Sequence, residues 1–76
     1  MIILYSTPSC IFCHKAKEFF KEHNIEYTNK DVASDSQALD EMVKKSGQLG
    51  VPVIDIDGQI IVGFDRKKIS ELLNIK

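Results

Sequence analysis

The first part of the chain contains a strand-like apolar run followed by a helix-like pattern. Residues 2–5 are continuously apolar, which is typical of a short strand buried on both faces. Residues 7–9, a Thr-Pro-Ser turn, end this run. From about Ile11 onward, apolar side chains recur at helical spacing between charged ones: Phe12, Ala16, Phe19 and Phe20. The pattern predicts a strand, a turn and an amphipathic surface helix.

The next segment predicts a half-exposed strand and a second helix. Asn24 is expected to end the first helix, and apolar and polar residues then alternate over positions 25–28, as in a strand. Ser34 and Gln37 form a capping-box pattern that predicts a helix start. The apolar face of this helix is Leu39, Met42 and Val43, and its end is marked by Lys44, Lys45 and Gly47.

The last third of the chain predicts a hairpin and a closing helix. Residues 51–56 have the pattern of a strand, Asp57-Gly58 is a tight-turn pair, and residues 59–62 form the returning strand. Asp65 is expected to cap a final helix. The apolar positions of this helix follow the i, i+3, i+4 rule: Ile69, Leu72 and Leu73.

The predicted order is strand, helix, strand, helix, strand, strand, helix. A β-α-β unit with a right-handed crossover makes the first two strands parallel, and the hairpin adds an antiparallel pair. Because no linker, repeat or low-complexity segment interrupts the sequence, we expect a single domain over residues 1–76. The expected product is an α/β fold, in which a four-stranded mixed sheet has helices on its faces.

Composition and charge argue against several functional classes. Hydrophobic residues make up 43% of the chain and charged residues 28%, which is typical of a soluble globular protein rather than a disordered or membrane one. A net charge of -1 provides no basic field for nucleic acid or anionic lipid. The apolar start of the chain lacks a basic stretch and is too short for a signal peptide or a membrane span. We therefore expect a cytoplasmic monomer that binds neither nucleic acid nor membrane.

The motif that carries chemistry is Cys10-Ile11-Phe12-Cys13 at the predicted start of the first helix. Its cysteines are the only two in the chain, and a disulfide between them closes too short a loop to stabilise the fold appreciably. At a helix start, unpaired backbone N–H groups and the positive end of the helix dipole favour the thiolate of Cys10. The position predicts Cys10 as the nucleophile of disulfide exchange and Cys13, about one helical turn later, as the resolving thiol.

The same segment admits other interpretations. A C-x-x-C pair is half of a typical zinc site, but tetrahedral zinc requires four ligands, and His14, His23 or an acidic residue would have to complete it. The segment also matches the C-x-x-C-H pattern of haem attachment, which normally occurs in exported chains. For His14, an exposed position is favoured over a role in tuning the Cys10 thiolate. Lys15 is the other residue that could place a positive charge near Cys10.

Val51-Pro52 at the start of the third predicted strand has two interpretations. Proline removes a ladder donor, so it is expected at a strand start or an edge with an ordinary trans bond. A cis bond would instead turn the N–H and C=O of Val51 toward a ligand. The residues by themselves leave both forms open.

Four segments in this order resemble the glutaredoxin family over the whole chain. They are the strand end Tyr5-Ser6-Thr7-Pro8-Ser9-Cys10, the C-x-x-C at a helix start, Gly50-Val51-Pro52 before a hairpin, and Gly63-Phe64-Asp65 at the last helix. The resemblance implies a thioredoxin-like fold with strand order 2-1-3-4 and three flanking helices. It also implies a cis Pro52 that faces the cysteines, and a disulfide oxidoreductase that reduces protein disulfides or glutathione mixed disulfides through Cys10.

The resemblance further implies a groove for substrate or glutathione. Its residues would be Thr7, Cys10, Phe12, Val51, Pro52, Gly63, Phe64 and Asp65. Two of them have structural alternatives. Phe12 could belong to a core stripe with Ala16 and Phe19, and Asp65 could be a simple N-cap.

The sequence departs from the usual glutaredoxin pattern at three places. Thr7 stands where many members have Lys, Ile11-Phe12 where they usually have Pro-Tyr, and Gly63-Phe64 where they have Gly-Gly. Phe64 and the small size are also similar to the glutaredoxin-like electron donors of ribonucleotide reductase, which take electrons from thioredoxin reductase.

The expected partners are disulfide-containing proteins, with either glutathione as a co-substrate or thioredoxin reductase as the electron donor. No tightly bound cofactor and no metal is expected. The alternative function is that of a thiol-ligated metal or iron–sulfur binding protein of the same fold.

Overall fold

The structure, a computed structural model, describes residues 1–74 of the chain. Over this range the elements are β1 (Ile2–Ser6), α1 (Ile11–Glu22), β2 (Thr28–Asp31), α2 (Ser36–Ser46), β3 (Val53–Ile56), β4 (Gln59–Val62) and α3 (Arg66–Leu73). Their order is the one that the hydrophobic spacing predicts.

Within residues 1–74 the strands form one mixed sheet in the order β2-β1-β3-β4. β1 runs parallel to β2 and antiparallel to β3, so that Tyr5 lies opposite Lys30 on one side and Val53 on the other. β3 and β4 form the antiparallel hairpin, in which Val53 lies opposite Val62. This arrangement confirms the expected thioredoxin-like fold with its strand order 2-1-3-4.

The core lies on both faces of the sheet because successive side chains of a strand point to opposite faces. Leu4 belongs to a cluster with Phe20 of α1 and Ile69 of α3. Tyr5, the next residue, belongs to a second cluster with Met42 of α2. Leu4 and Tyr5 are both fully buried, which confirms that β1 is covered on both faces.

A polar network ties α2 to the sheet next to Tyr5. Lys45 Nζ donates to Tyr5 Oη at 2.9 Å and to Asp55 Oδ2 at 2.7 Å, and the Tyr5 hydroxyl donates to Glu41 Oε2 at 3.0 Å. The hydrogen bond to Asp55 raises the pKa of Lys45. Burial raises the pKa of Asp55, but hydrogen bonds from Lys45 and the Gly58 N–H outweigh it, so this pKa lies below its ordinary value. Lys45 and Asp55 are therefore both charged at neutral pH and form an ion pair.

The residues predicted at turns and helix ends adopt the expected conformations. Asp57 and Gly58 have φ values of 49° and 94°, the left-handed pair that a tight two-residue hairpin requires. Gly47, with φ 73°, is the C-cap of α2. Asn24, with φ 54°, lies two residues beyond the end of α1.

The predicted position of the second strand is wrong. β2 covers Thr28–Asp31 rather than residues 25–28. The alternation arises because Ile25 and Tyr27 pack against the cluster of α1 and α3 from the connecting segment, with the rings of Tyr27 and Phe20 5.1 Å apart. β2 itself is a polar edge strand, so apolar spacing does not reveal it.

Two other predicted boundaries are also wrong. α2 is capped by Asp35 rather than Ser34, because the Asp35 carboxylate accepts the N–H groups of both Gln37 at 3.0 Å and Ala38 at 3.2 Å. β3 begins at Val53 rather than at residue 51. The proline at position 52 has no N–H to donate to a ladder, and the pairing starts after it.

Candidate active site

Cys10 lies where the chain leaves the sheet and enters α1. It is the N-cap of this helix, and its Sγ accepts the Cys13 N–H at 3.1 Å. The Cys10 N–H donates to the Thr7 carbonyl at 3.4 Å, which closes the turn. A sulfur in this position faces the unpaired N–H groups of the helix start, and these groups stabilise negative charge on it.

Cys13 lies one helical turn later and is fully buried. Burial raises the pKa of its thiol to about 12, and the hydrogen bond to Cys10 adds to this effect. The Thr7 backbone N–H and the positive charge of Lys17 oppose the increase only in part. Both cysteines are free, and Cys10 is partly exposed whereas Cys13 is buried, so the two thiols differ in access.

Val51 and Pro52 lie across from Cys10. The peptide bond between them is cis, as the resemblance to glutaredoxins implies. The Cys10 thiol donates toward the Val51 carbonyl oxygen at a distance of 3.9 Å. The Pro52 carbonyl accepts the Gly63 N–H at 2.8 Å, which joins this segment to the turn after β4.

Phe12 lies on the exposed side of α1, outside the core stripe. Its side chain is 57% exposed, whereas Ala16 and Phe19 are buried. Lys15 Nζ lies 5.2 Å from the centre of the Phe12 ring. The neighbouring Ile11 is 69% exposed, so two large apolar side chains follow Cys10 on the surface.

The turn from β4 to α3 holds the remaining residues of the expected groove. Gly63 contacts Pro52 through the hydrogen bond given above. The Phe64 ring packs edge to face on Phe19, with centroids 5.9 Å apart, and so lies against α1. Asp65 is the N-cap of α3 and accepts the Lys68 N–H at 3.1 Å, which confirms its predicted capping role.

A comparison with known protein families bears directly on this arrangement. A family model described as glutaredoxin matches residues 2–61, a range that includes both cysteines and Val51-Pro52. The chain belongs to the glutaredoxin family.

Two relatives of this glutaredoxin extend over most of its length. It is 49% identical over 73 residues to an uncharacterized glutaredoxin-like 8.6 kDa protein in the rubredoxin operon of Clostridium pasteurianum, covering 96% of this chain and 97% of that protein. It is 32% identical over 62 residues to glutaredoxin 3 of Escherichia coli K12, covering 82% of this chain and 75% of that protein.

A solved structure agrees with the fold of this glutaredoxin. A crystal structure of a variant of the thioredoxin-like protein BC3987 is similar to it with a TM-score of 0.94 and 35% identity, over 99% of this chain and 96% of that one. The thioredoxin-like fold, the family and the free cysteine pair together are consistent with thiol redox chemistry.

Sequence reasoning missed two residues of this glutaredoxin that lie close to the predicted site. The positive charge of Lys17 acts on Cys13 and lowers the pKa of that thiol. Gln48 binds the backbone of Gly50, immediately before Val51, through both atoms of its side-chain amide. Helical spacing did not reveal the direction of Lys17, and the only signal for Gln48 was a glycine just ahead of Val51-Pro52.

His14 of this glutaredoxin is exposed, as its position in the first turn of α1 predicts. Its Nε2 lies 2.9 Å from the Pro8 carbonyl, and this contact holds the ring on the turn that precedes Cys10.

Residues 1–74 contain neither a metal-binding group of side chains nor a membrane-spanning helix. No group of three or more His, Cys, Asp and Glu side chains in this range is placed to hold a metal ion. No helix in the same range combines the length and apolar character needed to cross a bilayer.

Proposed function

We propose that this glutaredoxin is a dithiol–disulfide oxidoreductase in which Cys10 attacks and Cys13 resolves. The observation that carries the proposal is that the two sulfurs differ in exposure and in hydrogen bonding. Cys10 is partly exposed and accepts a helix N–H at 3.1 Å, whereas Cys13 is buried with its pKa raised to about 12. An accessible, N–H-stabilised sulfur suits a nucleophile, and a protonated neighbour suits a second step.

In the first step, the Cys10 thiolate attacks one sulfur of a substrate disulfide. A bond forms between Cys10 Sγ and that sulfur, and the substrate disulfide breaks. The other substrate sulfur leaves as a thiolate and takes up a proton from solvent. The product is a mixed disulfide between Cys10 and the substrate.

In the second step, the Cys13 thiol gives up its proton, which ends on the departing substrate sulfur, and the Cys13 sulfur attacks Cys10 Sγ. The Cys10–Cys13 disulfide forms and the second substrate sulfur leaves as a thiolate, which is then protonated. Two electrons have passed from the dithiol to the substrate. Cys13 is placed for this step because it lies one helical turn from Cys10, and its N–H contacts Cys10 Sγ at 3.1 Å.

The substrate is proposed to lie against the segment that faces Cys10. The Val51 backbone and Pro52 form one side, because the Val51 carbonyl lies 3.9 Å from Cys10 Sγ. Thr7, whose carbonyl accepts the Cys10 N–H, and the exposed Phe12 ring are assigned to the same groove. The outer end of the same groove is assigned to the turn after β4: Gly63, Phe64 and Asp65.

The proposed substrates are protein disulfides or glutathione mixed disulfides. The oxidised pair is reduced again by two molecules of glutathione or by thioredoxin reductase. The rates at which each reductant restores the dithiol distinguish these electron donors. Fast reduction by thioredoxin reductase alone would place this protein with the electron donors of ribonucleotide reductase.

Single cysteine variants test the proposal. With a peptide disulfide as substrate, Cys10→Ser is expected to abolish reduction, and Cys13→Ser is expected to accumulate a mixed disulfide on Cys10 that mass spectrometry detects. Retention of full turnover in Cys10→Ser would contradict the assignment of the nucleophile. A Cys13→Ser variant that turns over without any mixed disulfide would contradict the assignment of the resolving thiol.

A further inference from the structure

The loop between α2 and β3 carries a hydrogen-bonded ring that disulfide exchange itself does not use. The Gly50 N–H donates to Gln48 Oε1 at 2.6 Å, and Gln48 Nε2 donates to the Gly50 carbonyl at 3.0 Å. One side-chain amide thus binds both polar backbone groups of a single residue, as a neighbouring strand does in a ladder. This pair of bonds is called the Gln48–Gly50 clamp below.

The clamp is attached to the end of α2. Ser46 Oγ donates to the Met42 carbonyl at 2.7 Å and accepts the Gln48 N–H at 3.4 Å. Lys45, in the same helical turn, is bound to Asp55 of the sheet at 2.7 Å. The position of Gln48 is therefore determined by a helix end that is itself fixed to β3.

Space, rather than backbone conformation, explains the glycine at position 50. Gly50 does not have the positive φ that Gly47, Gly58 and Gly63 have. A Cβ at Gly50 would lie 2.7 Å from Gln48 Oε1, which is closer than side chains approach such an atom. Gly50 therefore leaves room for the Gln48 amide, and a larger residue at position 50 would displace this flexible side chain.

The clamp ends where the candidate active site begins. Gly50 directly precedes Val51, whose carbonyl oxygen lies 3.9 Å from Cys10 Sγ. The pairing of β3 with its neighbours starts only at Val53. The Val51 backbone is consequently held by the clamp on one side and by the hydrogen bond between Pro52 and Gly63 on the other.

We infer that Gln48 is a positioning residue, which holds the Val51 backbone at Cys10 so that an extended disulfide-bearing peptide can bind along it. The inference rests on the proposed function. Gln48 touches neither sulfur and acts only through Gly50 and Val51. Its loss is expected to weaken the binding of a peptide substrate and to leave the reactivity of Cys10 unchanged.

The test compares Gln48→Ala with Gln37→Ala, which removes the same amide from an exposed position in the first turn of α2. The pre-reduced protein reacts with a fluorogenic peptide disulfide in single turnover, so no enzymatic reductant is needed. Gln48→Ala is expected to raise the half-saturating peptide concentration by about tenfold, the effect of one or two hydrogen bonds. The maximal rate and the rate of Cys10 alkylation by iodoacetamide are expected to stay within about twofold.

Gly50→Ala provides an independent variant. Its Cβ is expected to displace the Gln48 amide and to raise the half-saturating concentration to a similar extent. In the Gln48→Ala background the same change is expected to add nothing, because the atom that it meets has been removed. Additive effects of the two changes would overturn the inference.

The remaining outcomes separate the inference from the proposed function. Equal behaviour of Gln48→Ala and Gln37→Ala would overturn the inference, and so would a parallel loss of maximal rate and alkylation rate, which indicates a general structural role. A wild-type protein that does not reduce the peptide, or a Cys10→Ser variant that does, would overturn the proposed function instead.

Discussion

α1 and α2 both begin at the same end of the sheet, but different atoms cap their first turns. Each helix follows one of the parallel strands β1 and β2, and both N-caps, Cys10 and Asp35, have extended backbone conformations. The Asp35 carboxylate accepts two N–H groups, whereas the Cys10 sulfur accepts one. A carboxylate cap takes no part in thiol chemistry, whereas a cysteine sulfur can form a disulfide.

The two helix starts therefore differ in the kind of atom that caps them. α2 is capped by a carboxylate at its start and bound to the sheet by Lys45 near its end. The first turn of α1 instead directs an N–H group at the sulfur that is proposed as the nucleophile. A weaker cap is therefore expected to lower stability only at the start of α1.

Breaking the anchor of α2 is expected to have the largest effect on stability. Lys45→Met removes the hydrogen bonds to Tyr5 and Asp55 and leaves the Asp55 side chain, only 11% exposed, without its cation. Because the Lys45 side chain is 32% exposed, we expect a loss of about 2 kcal/mol rather than the larger value of a fully buried pair. Urea denaturation of wild type and Lys45→Met measures this loss of unfolding free energy.

Lys44→Met is the matched control for this change. The Lys44 side chain is 77% exposed, and its ion pair with Asp40 spans one helical turn on the surface. Its replacement is expected to change the unfolding free energy by less than about 0.5 kcal/mol. Equal losses for the two lysines would show that α2 is not anchored through Asp55.

The Lys45–Asp55 ion pair predicts how the difference in unfolding free energy between wild type and Lys45→Met changes with pH. The pKa of Asp55 is below its ordinary value in the folded protein, so its contribution is complete above about pH 3.9 and is lost as the pH falls through the lower folded-state pKa. The raised pKa of Lys45 keeps its contribution intact at every pH below about 10.4.

In Lys45→Met, Asp55 loses the cation that lowers its pKa, while the effect of burial, which raises it, remains, so the pKa of this carboxyl is higher than in the wild type. The variant should therefore recover stability relative to wild type as Asp55 is protonated. We expect the gap between the two proteins to narrow as the pH falls from neutrality to below about pH 4. Urea titrations at several pH values measure the gap, and a constant gap would contradict the role of the Asp55 charge.

Removal of the carboxylate cap is expected to have a smaller effect. Asp35→Ala leaves the N–H groups of Gln37 and Ala38 without their acceptor and is expected to cost about 1 kcal/mol. Ser34→Ala is the control, because Ser34 is exposed and precedes the cap. A larger loss of unfolding free energy in Ser34→Ala than in Asp35→Ala would show that Ser34 is the cap, as the sequence pattern indicated.

The smallest effect is expected at the sulfur cap. Cys10→Ser provides a good N-cap oxygen and should stay within about 0.5 kcal/mol of the reduced wild type, whereas Cys10→Ala should cost about 0.5 kcal/mol. Denaturation under reducing conditions measures both variants. A loss for Cys10→Ala as large as that for Asp35→Ala would remove the energetic difference between the two helix starts.

Local signals in the sequence predicted the elements and the position of the cysteines. The apolar run of β1, the helical spacing of α1 and the Asp57-Gly58 turn depend on neighbouring residues and were read correctly. The same is true of Cys10 at a helix start, since strand, turn and helix follow each other directly along the chain.

Features that depend on distant contacts were not predictable in this way. β2 is a polar edge strand, so its limits are determined by pairing with β1 and not by its own pattern. The Phe64 ring contacts Phe19, which is far away in sequence and belongs to α1. The role of Gln48 depends on the direction of one flexible side chain, which no periodicity encodes.

The hairpin turn at Asp57-Gly58 has a practical consequence for labelling this protein. Ile2 at the start of β1 lies opposite Ile56, whereas Cys10 follows the other end of β1. A strand of about five residues spans roughly 16 Å, so the turn projects from the far side of the molecule. A fluorophore or an inserted affinity peptide at this turn would be displayed away from Cys10, and a protein tethered through the turn would then present Cys10 outward.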